Sequence, residues 1–225
     1  MFELIEDALS KLSSSGWASF HLPLAGIEVM EQVALDIGYS LGKPCATRRR
    51  GSLIDRLAPT NRHAANPRSL SARYGLNQFP WHTDGAHWSM PPRYLVMGCL
   101  EADQQTAETI ICEGRYFASL NSAVARSSVF RITNGRSSFY AAARAASDRY
   151  YRYDPGCMTP MDVGARELMF AMDQEKLENE YKIQWCTGRF LLLDNWRVLH
   201  RRAAIVESAE RKLLRVTVME RMNNA

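Results

Sequence analysis

The sequence predicts a mainly β fold with flanking helices, its core a double-stranded β-helix, or jelly roll. Three observations carry this. Compact β-type runs recur: YLVMGCL at 94–100, ETIIC at 108–112, RFLLLD at 189–194 and LLRVTVMER at 213–221. Two chemically distinctive segments, 79–94 and 189–203, lie far apart in the chain, and a jelly roll brings such distant strands into one barrel. No repeat, linker or low-complexity tract divides the 225 residues, so 1–225 reads as a single domain.

Taken in order, Phe2, Ile5, Ala8, Leu9 and Leu12 recur at helical spacing and predict a helix over 2–12, ended by SSSG. WASFHLPL at 17–24 alternates loosely, as a short strand does. Ile27, Met30, Val33, Ala34, Ile37 and Leu41 trace a second helical face, closed by Gly-Lys-Pro at 42–44. Residues 45–78 are rich in Arg, Asn, Pro and Ser without a sustained period, which predicts short strands and loops. After the strands at 94–100 and 108–112, helices are expected at 116–128 and 163–177. Residues 140–147, rich in alanine, fit helix or loop. YKIQWCT, RFLLLD and LLRVTVMER supply the last strands.

Composition removes several function classes. A net charge of +4, from 28 basic and 24 acidic residues, is too mild to indicate nucleic acid. The densest basic cluster, RRR at 48–50, fits a solvated loop, with an anion-gathering patch as the alternative. Five cysteines (45, 99, 112, 157, 186) are odd in number and form no CxxC pair. That argues against a disulfide framework or structural zinc, and for a reducing, cytoplasmic setting. The acidic start MFELIEDALSKL is unlike a signal peptide, and no apolar run reaches membrane-spanning length. No GxSxG-type arrangement suggests a nucleophilic hydrolase.

The segment FPWHTDGAHWSMPPRY at 79–94 places a histidine and an aspartate two apart in an aromatic run. On a strand, His82 and Asp84 share one face. They form either a buried hydrogen-bonded pair or two legs of a metal site. RFLLLDNWRVLHRRA at 189–203 offers a partner: a doubly buried strand, a turn at Asp194-Asn195, and His200 on the return, 118 residues after His82. Two imidazoles and one carboxylate on one face leave three open positions on an ion, which suits non-haem Fe(II) and oxygen chemistry. In RKLLRVTV at 211–218, Arg211, Leu213, Arg215 and Thr217 share a face. Arginines facing a barrel interior cost on the order of several kcal/mol unless paired, so they imply anions from acidic residues or from a ligand. An edge strand with both arginines in water is the alternative.

With these residues in view, the chain resembles the taurine dioxygenase and clavaminate synthase-like group of Fe(II)/2-oxoglutarate-dependent oxygenases. HTD at 82–84, DNWRVLH at 194–200 and RxxxR at 211–215 carry the resemblance. GKP at 42–44, SLSARYGLNQFPWHTDGA at 69–86, PPRY at 91–94 and YRYDPG at 151–156 fall in the order that family shows. The resemblance implies His82, Asp84 and His200 as iron ligands. It also implies Arg211, with the Thr109 hydroxyl, at the distal carboxylate of 2-oxoglutarate, and Arg215 at an anionic group of the substrate; the two arginines could exchange roles. Fe(II), 2-oxoglutarate and O2 are the implied cofactor and cosubstrates, with succinate and CO2 as products. A carboxylate at Asp84 implies hydroxylation, desaturation or ring closure, since relatives that halogenate carry a small residue there. A small anionic or amino-acid-like metabolite is the implied partner, with no nucleic acid and no membrane.

The remaining candidates are weaker. His87 fits packing or pocket lining, substrate contact or, least well, metal; Arg152 fits a surface or ion-paired residue or a substrate-pocket cation. His21 and His63 read as structural or surface residues, and Trp81, Trp88 and Phe79 as core or pocket wall. Asn195 reads as a turn residue, Asp194 as a turn residue or a support to a ligand. A catalytically silent jelly-roll binding module and a nucleic-acid demethylase are the rival readings.

Overall fold

The computed structural model describes residues 1–221 except Leu24, Arg49, Arg68 and 207–210. The N-terminal helix α1 (Phe2–Ser15) runs three residues past its apolar period, to Gly16, whose left-handed φ of 78° lets its N–H reach the Leu12 carbonyl. Strand β1 (Trp17–His21) and helix α2 (Ile27–Leu41) follow. Then come the short strands β2 (Lys43–Cys45) and β3 (Ile54–Leu57), and a short helix that the composition of 45–78 did not predict, α3 (Leu70–Tyr74). Leu24 and Arg49, within the predicted strand and basic cluster, lie outside the described residues.

The core strands are β4 (Tyr94–Ala102) and β5 (Thr109–Glu113). The predicted helix over 116–128 is instead broken into a 3-10 turn, α4 (Ala118–Asn121) and α5 (Ala123–Ser127). Ser122 breaks it: extended, it caps α5 by accepting from the Ala125 N–H. A hairpin that the sequence reading lacked follows, β6 (Phe130–Asn134) and β7 (Ser137–Ala141), joined by β8 (Met158–Pro160). Helix α6 (Val163–Gln174) opens on Asp162, which accepts from the Ala165 N–H at 2.7 Å. Strands β9 (Tyr181–Ile183), β10 (Arg189–Asp194), β11 (Val198–Arg202) and β12 (Arg211–Met219) complete the fold.

All pairings among named strands are antiparallel. The largest sheet runs β1-β10-β4-β12-β2, with β3 also on β12; β11-β5-β9 forms a second sheet and β7-β6-β8 a third. Strands β4, β10 and β12 are buried on both faces, which is why their sequences are nearly continuous apolar runs. One face (Val96, Leu192, Leu214, Val216) packs under α1 and α2. The other (Leu95, Met97, Leu193, Leu213) meets Ile111, Ile183 and Val198 of the second sheet. The third sheet and the later helices enclose a further core around Phe117, Phe130, Leu168 and Leu199. The arginine-bearing strand β12 is therefore interior, paired on both sides, and the edge-strand alternative fails. Among the described residues, no helix is long and apolar enough to cross a membrane.

Candidate metal centre and cosubstrate pocket

Three side chains widely separated in sequence meet at one point. His82 and His200 form an isolated antiparallel bridge, each N–H donating to the other's carbonyl at 3.0 Å, with ring centroids 4.3 Å apart. Directly opposed residues of an antiparallel pair project to the same face, so both imidazoles point one way. Asp84 Oδ1 lies 3.6 Å from His82 Nε2 and 3.7 Å from His200 Nε2. One ligand atom from each of the three falls within 4.8 Å of the others. His82 Nδ1 sits 3.0 Å from the Pro80 carbonyl, which can only accept, so Nδ1 is the donor and Nε2 is the nitrogen turned toward Asp84.

Asp84 leaves the extended path just after Thr83. Gly85 turns the chain at φ +67°, where a Cβ would sit 2.4 Å from Pro92 Cδ. Asn195, more than a turn residue, fixes this corner. Its Oδ1 accepts from the Asp84 N–H at 2.8 Å, and its Nδ2 donates to the carbonyls of Asp84 and Pro92 at 2.9 Å each. Asp194, the other turn residue, is buried and accepts from the Trp196 N–H at 3.2 Å.

Electrostatics keep the donor set ready for a cation. Burial alone would raise the Asp84 carboxyl, but Arg215 and the two histidines outweigh it and hold Asp84 well below the usual carboxylate range. Burial, together with His82, pushes His200 down to about 3 despite Asp84, so its ring is neutral at pH 7. Two imidazoles and one carboxylate fit a divalent transition metal with open positions. His87 lies in the same cavity but outside the cluster; burial pushes it down, and it packs edge-on to Trp88.

The cluster opens into a cavity of about 300 Å³. Its wall has a strand-borne side, which includes Thr109, His200, Arg202, Arg211 and Arg215, and a loop-borne side, which includes Thr47, Ser69, His87, Trp88 and Asp154. Arg211 is buried; one Nη donates weakly to the Ala107 carbonyl at 3.3 Å, and its Nε is buried without a partner. Burial pushes it down only to about 10, so it stays charged at pH 7. Thr109 Oγ1 accepts from Trp185 Nε1 at 2.9 Å, which leaves the hydroxyl proton free to be donated.

Arg215 reaches the cavity with its fork already engaged: Nη1 donates to Asp84 Oδ2 at 2.5 Å and Nη2 to Asp55 Oδ2 at 2.9 Å. Its partners are protein carboxylates, where the sequence resemblance implied a substrate anion. Asp55, with Thr47 donating to both its oxygens at 2.9 Å, was not legible as a site residue. Arg152 does not line the cavity. It is fully buried and donates to the carbonyls of Ala86, Trp88 and Ser89, bracing the loop that carries His87, so it is no substrate cation.

Residues 121–217 match the taurine catabolism dioxygenase TauD, TfdA family, a stretch that includes His200, Arg211 and Arg215. The likeness to this dioxygenase family covers that C-terminal stretch of the chain. Among curated proteins, none matches it by sequence. Solved structures show the same fold. Asparagine oxygenase, in complex with Fe(II), 3-hydroxyasparagine and succinate, superposes with a TM-score of 0.78 at 17% identity, over 97% of this chain and 80% of that one. The non-haem iron oxygenase OrfP, with Fe, succinate and (3S)-hydroxy-L-Arg, gives 0.72 at 20% identity over 96% and 80%. PvcB from Pseudomonas aeruginosa gives 0.69 at 18% identity over 95% and 79%. His82 and Asp84 precede the family match, and the bridge to His200 is what joins them to it.

Proposed function

We propose that this chain is a TauD/TfdA-type oxygenase, dependent on Fe(II) and 2-oxoglutarate, that oxidises a C–H bond of a small amino-acid-like metabolite, giving succinate and CO2. One observation carries the reading: the cluster of His82, Asp84 and His200 shares its cavity with a buried, unneutralised Arg211 and with Thr109. His82 Nε2, Asp84 Oδ1 and His200 Nε2 hold the iron, and Arg211 with the Thr109 hydroxyl holds the distal carboxylate of 2-oxoglutarate. Iron, when bound with 2-oxoglutarate and O2, supplies the oxidising power for an unactivated C–H bond.

The chain's own contribution is placement. The Asn195 clamp aims the Asp84 carboxylate, Arg215 occupies the oxygen turned from the histidines, and burial keeps His200 unprotonated. Because Asp84 fills a ligand position, hydroxylation, desaturation or cyclisation is the outcome, not halogenation. An amino-acid-like substrate is supported by the substrates and products named for asparagine oxygenase and OrfP. It is supported too by Asp154, a cavity carboxylate with no ion-pair partner among the described residues, able to meet an ammonium group. We assign the two packed sheets to a double-stranded β-helix core in a single domain over 1–225. The five free cysteines support a cytoplasmic location.

Anaerobic addition of Fe(II) and 2-oxoglutarate should develop the visible iron–ketoacid charge-transfer band, and succinate should form in air with the right amino acid among amide and basic candidates. His82→Ala and Asp84→Ala should abolish the band. Absence of the band from the intact protein would overturn the reading and favour a silent binding module.

A further inference from the structure

We propose that Arg202 is a second cationic partner of the distal carboxylate of 2-oxoglutarate, acting beside Arg211 and Thr109; this rests on the function proposed above. Arg202 stands two residues after His200 on β11, so its side chain leaves the sheet on the same face as that ligand. Its register partner on β5 is Thr109, and opposed residues share a face. Topology thus sets Arg202 on the side of the cavity where Arg211 and the Thr109 hydroxyl already converge.

Charge makes the placement meaningful. Arg201 is paired with Glu180 at 2.8 Å, and Arg215 with Asp84 and Asp55. Arg202 and Arg211 have no carboxylate partner among the described residues, although 6% and 8% exposure leaves them little water. Each also keeps a buried Nε without an acceptor. Arg202 is held from behind, stacked 3.6 Å over the Phe79 ring with one Nη donating to the carbonyls of Gly75 and Asn77. Two desolvated like charges on one cavity wall are unfavourable alone and favourable around an anion. A carboxylate, with about four lone-pair positions, can accept from both guanidinium groups and the hydroxyl together.

The rival role is structural, since Arg202 also ties residues 75–79 to β11 just ahead of His82. Arg202→Met and Arg202→Lys separate the two roles through paired titrations. Fe(II) affinity is read by chelator competition, and 2-oxoglutarate affinity by the charge-transfer band. The proposal expects Arg202→Met to weaken 2-oxoglutarate about 10- to 100-fold, the range for a lost charge-assisted hydrogen bond. Fe(II) affinity should change less than about 2-fold, and Arg202→Lys should recover part of the loss. If Arg202→Met does not fold, Arg202→Lys should still weaken 2-oxoglutarate alone. An unchanged 2-oxoglutarate affinity, or a parallel fall in Fe(II) affinity, overturns the proposal while leaving the function intact. No band in the intact protein overturns both.

Discussion

Asn195 is the most informative residue to perturb, because its side-chain hydrogen bonds go to backbone groups, yet it sets the position of a candidate ligand. Asn195→Ala deletes three buried hydrogen bonds: the acceptance from the Asp84 N–H and the donations to the Asp84 and Pro92 carbonyls. At about 1 kcal/mol net per bond, with Asp84 N–H left unpaired in a site where Asn195 is wholly buried, the expected loss is about 3–4 kcal/mol. For a chain of this size that lowers the midpoint of thermal unfolding by roughly 6–16 °C. Because Asp84 would lose its corner, Fe(II) affinity should fall by about 10- to 100-fold, as is usual when a support to a metal ligand is removed. Urea unfolding followed by fluorescence gives the first number and chelator competition the second. A variant within about 0.5 kcal/mol of the parent, with unchanged Fe(II) affinity, would refute the claim that this amide fixes the Asp84 corner.

Three further expectations follow from the same geometry. Asp55→Asn leaves Arg215 with one carboxylate partner and should destabilise by roughly 1–3 kcal/mol in chemical denaturation. It should also let an added sulfonate such as taurine perturb the charge-transfer band, which the parent resists. Trp185→Phe removes the donor to Thr109 Oγ1 and should cost about 1 kcal/mol of stability, with weaker 2-oxoglutarate binding at equal Fe(II) affinity. Without metal, pH should act through His200, whose folded value of about 3 lies below its unfolded one near 6.5. A depressed histidine contributes stability that is full above the unfolded value and is lost as pH falls from about 6.5 toward 3, at no more than about 1.4 kcal/mol per pH unit. His200→Gln should flatten the upper part of that slope in pH-dependent unfolding.

Much of this was legible in the residues, for identifiable reasons. Helix α2 and strand β10 match their predicted ranges because a full helical stripe and an unbroken apolar run are strong local signals. The β6–β7 hairpin went unread because Phe130 and Ile132 alternate with polar residues over only five positions. The helix over 116–128 failed because one serine could cap a new helix as readily as continue the old one. In the site, a histidine, an aspartate and a distant histidine are chemically conspicuous. Asn195, Asp55 and Arg202 are not, because their partners are backbone groups or an arginine on another strand. Arg152 misled for the same reason: charge in a sequence does not reveal whether a guanidinium meets a ligand or three backbone oxygens.

The division of the cavity wall between ladder and loops has an evolutionary consequence. Groups on β5, β11 and β12 stand at separations set by interstrand pairing, about 3.3 Å per residue along each strand, and a one-residue slip would turn every one of them to the opposite face. Segments such as 46–48, 69–71 and 86–89 carry no such constraint. Exchanging or lengthening them can retool which ligand the cavity admits while the strand-borne groups stay in register. A new specificity is therefore within reach of a few loop changes, without rebuilding the strand-borne wall.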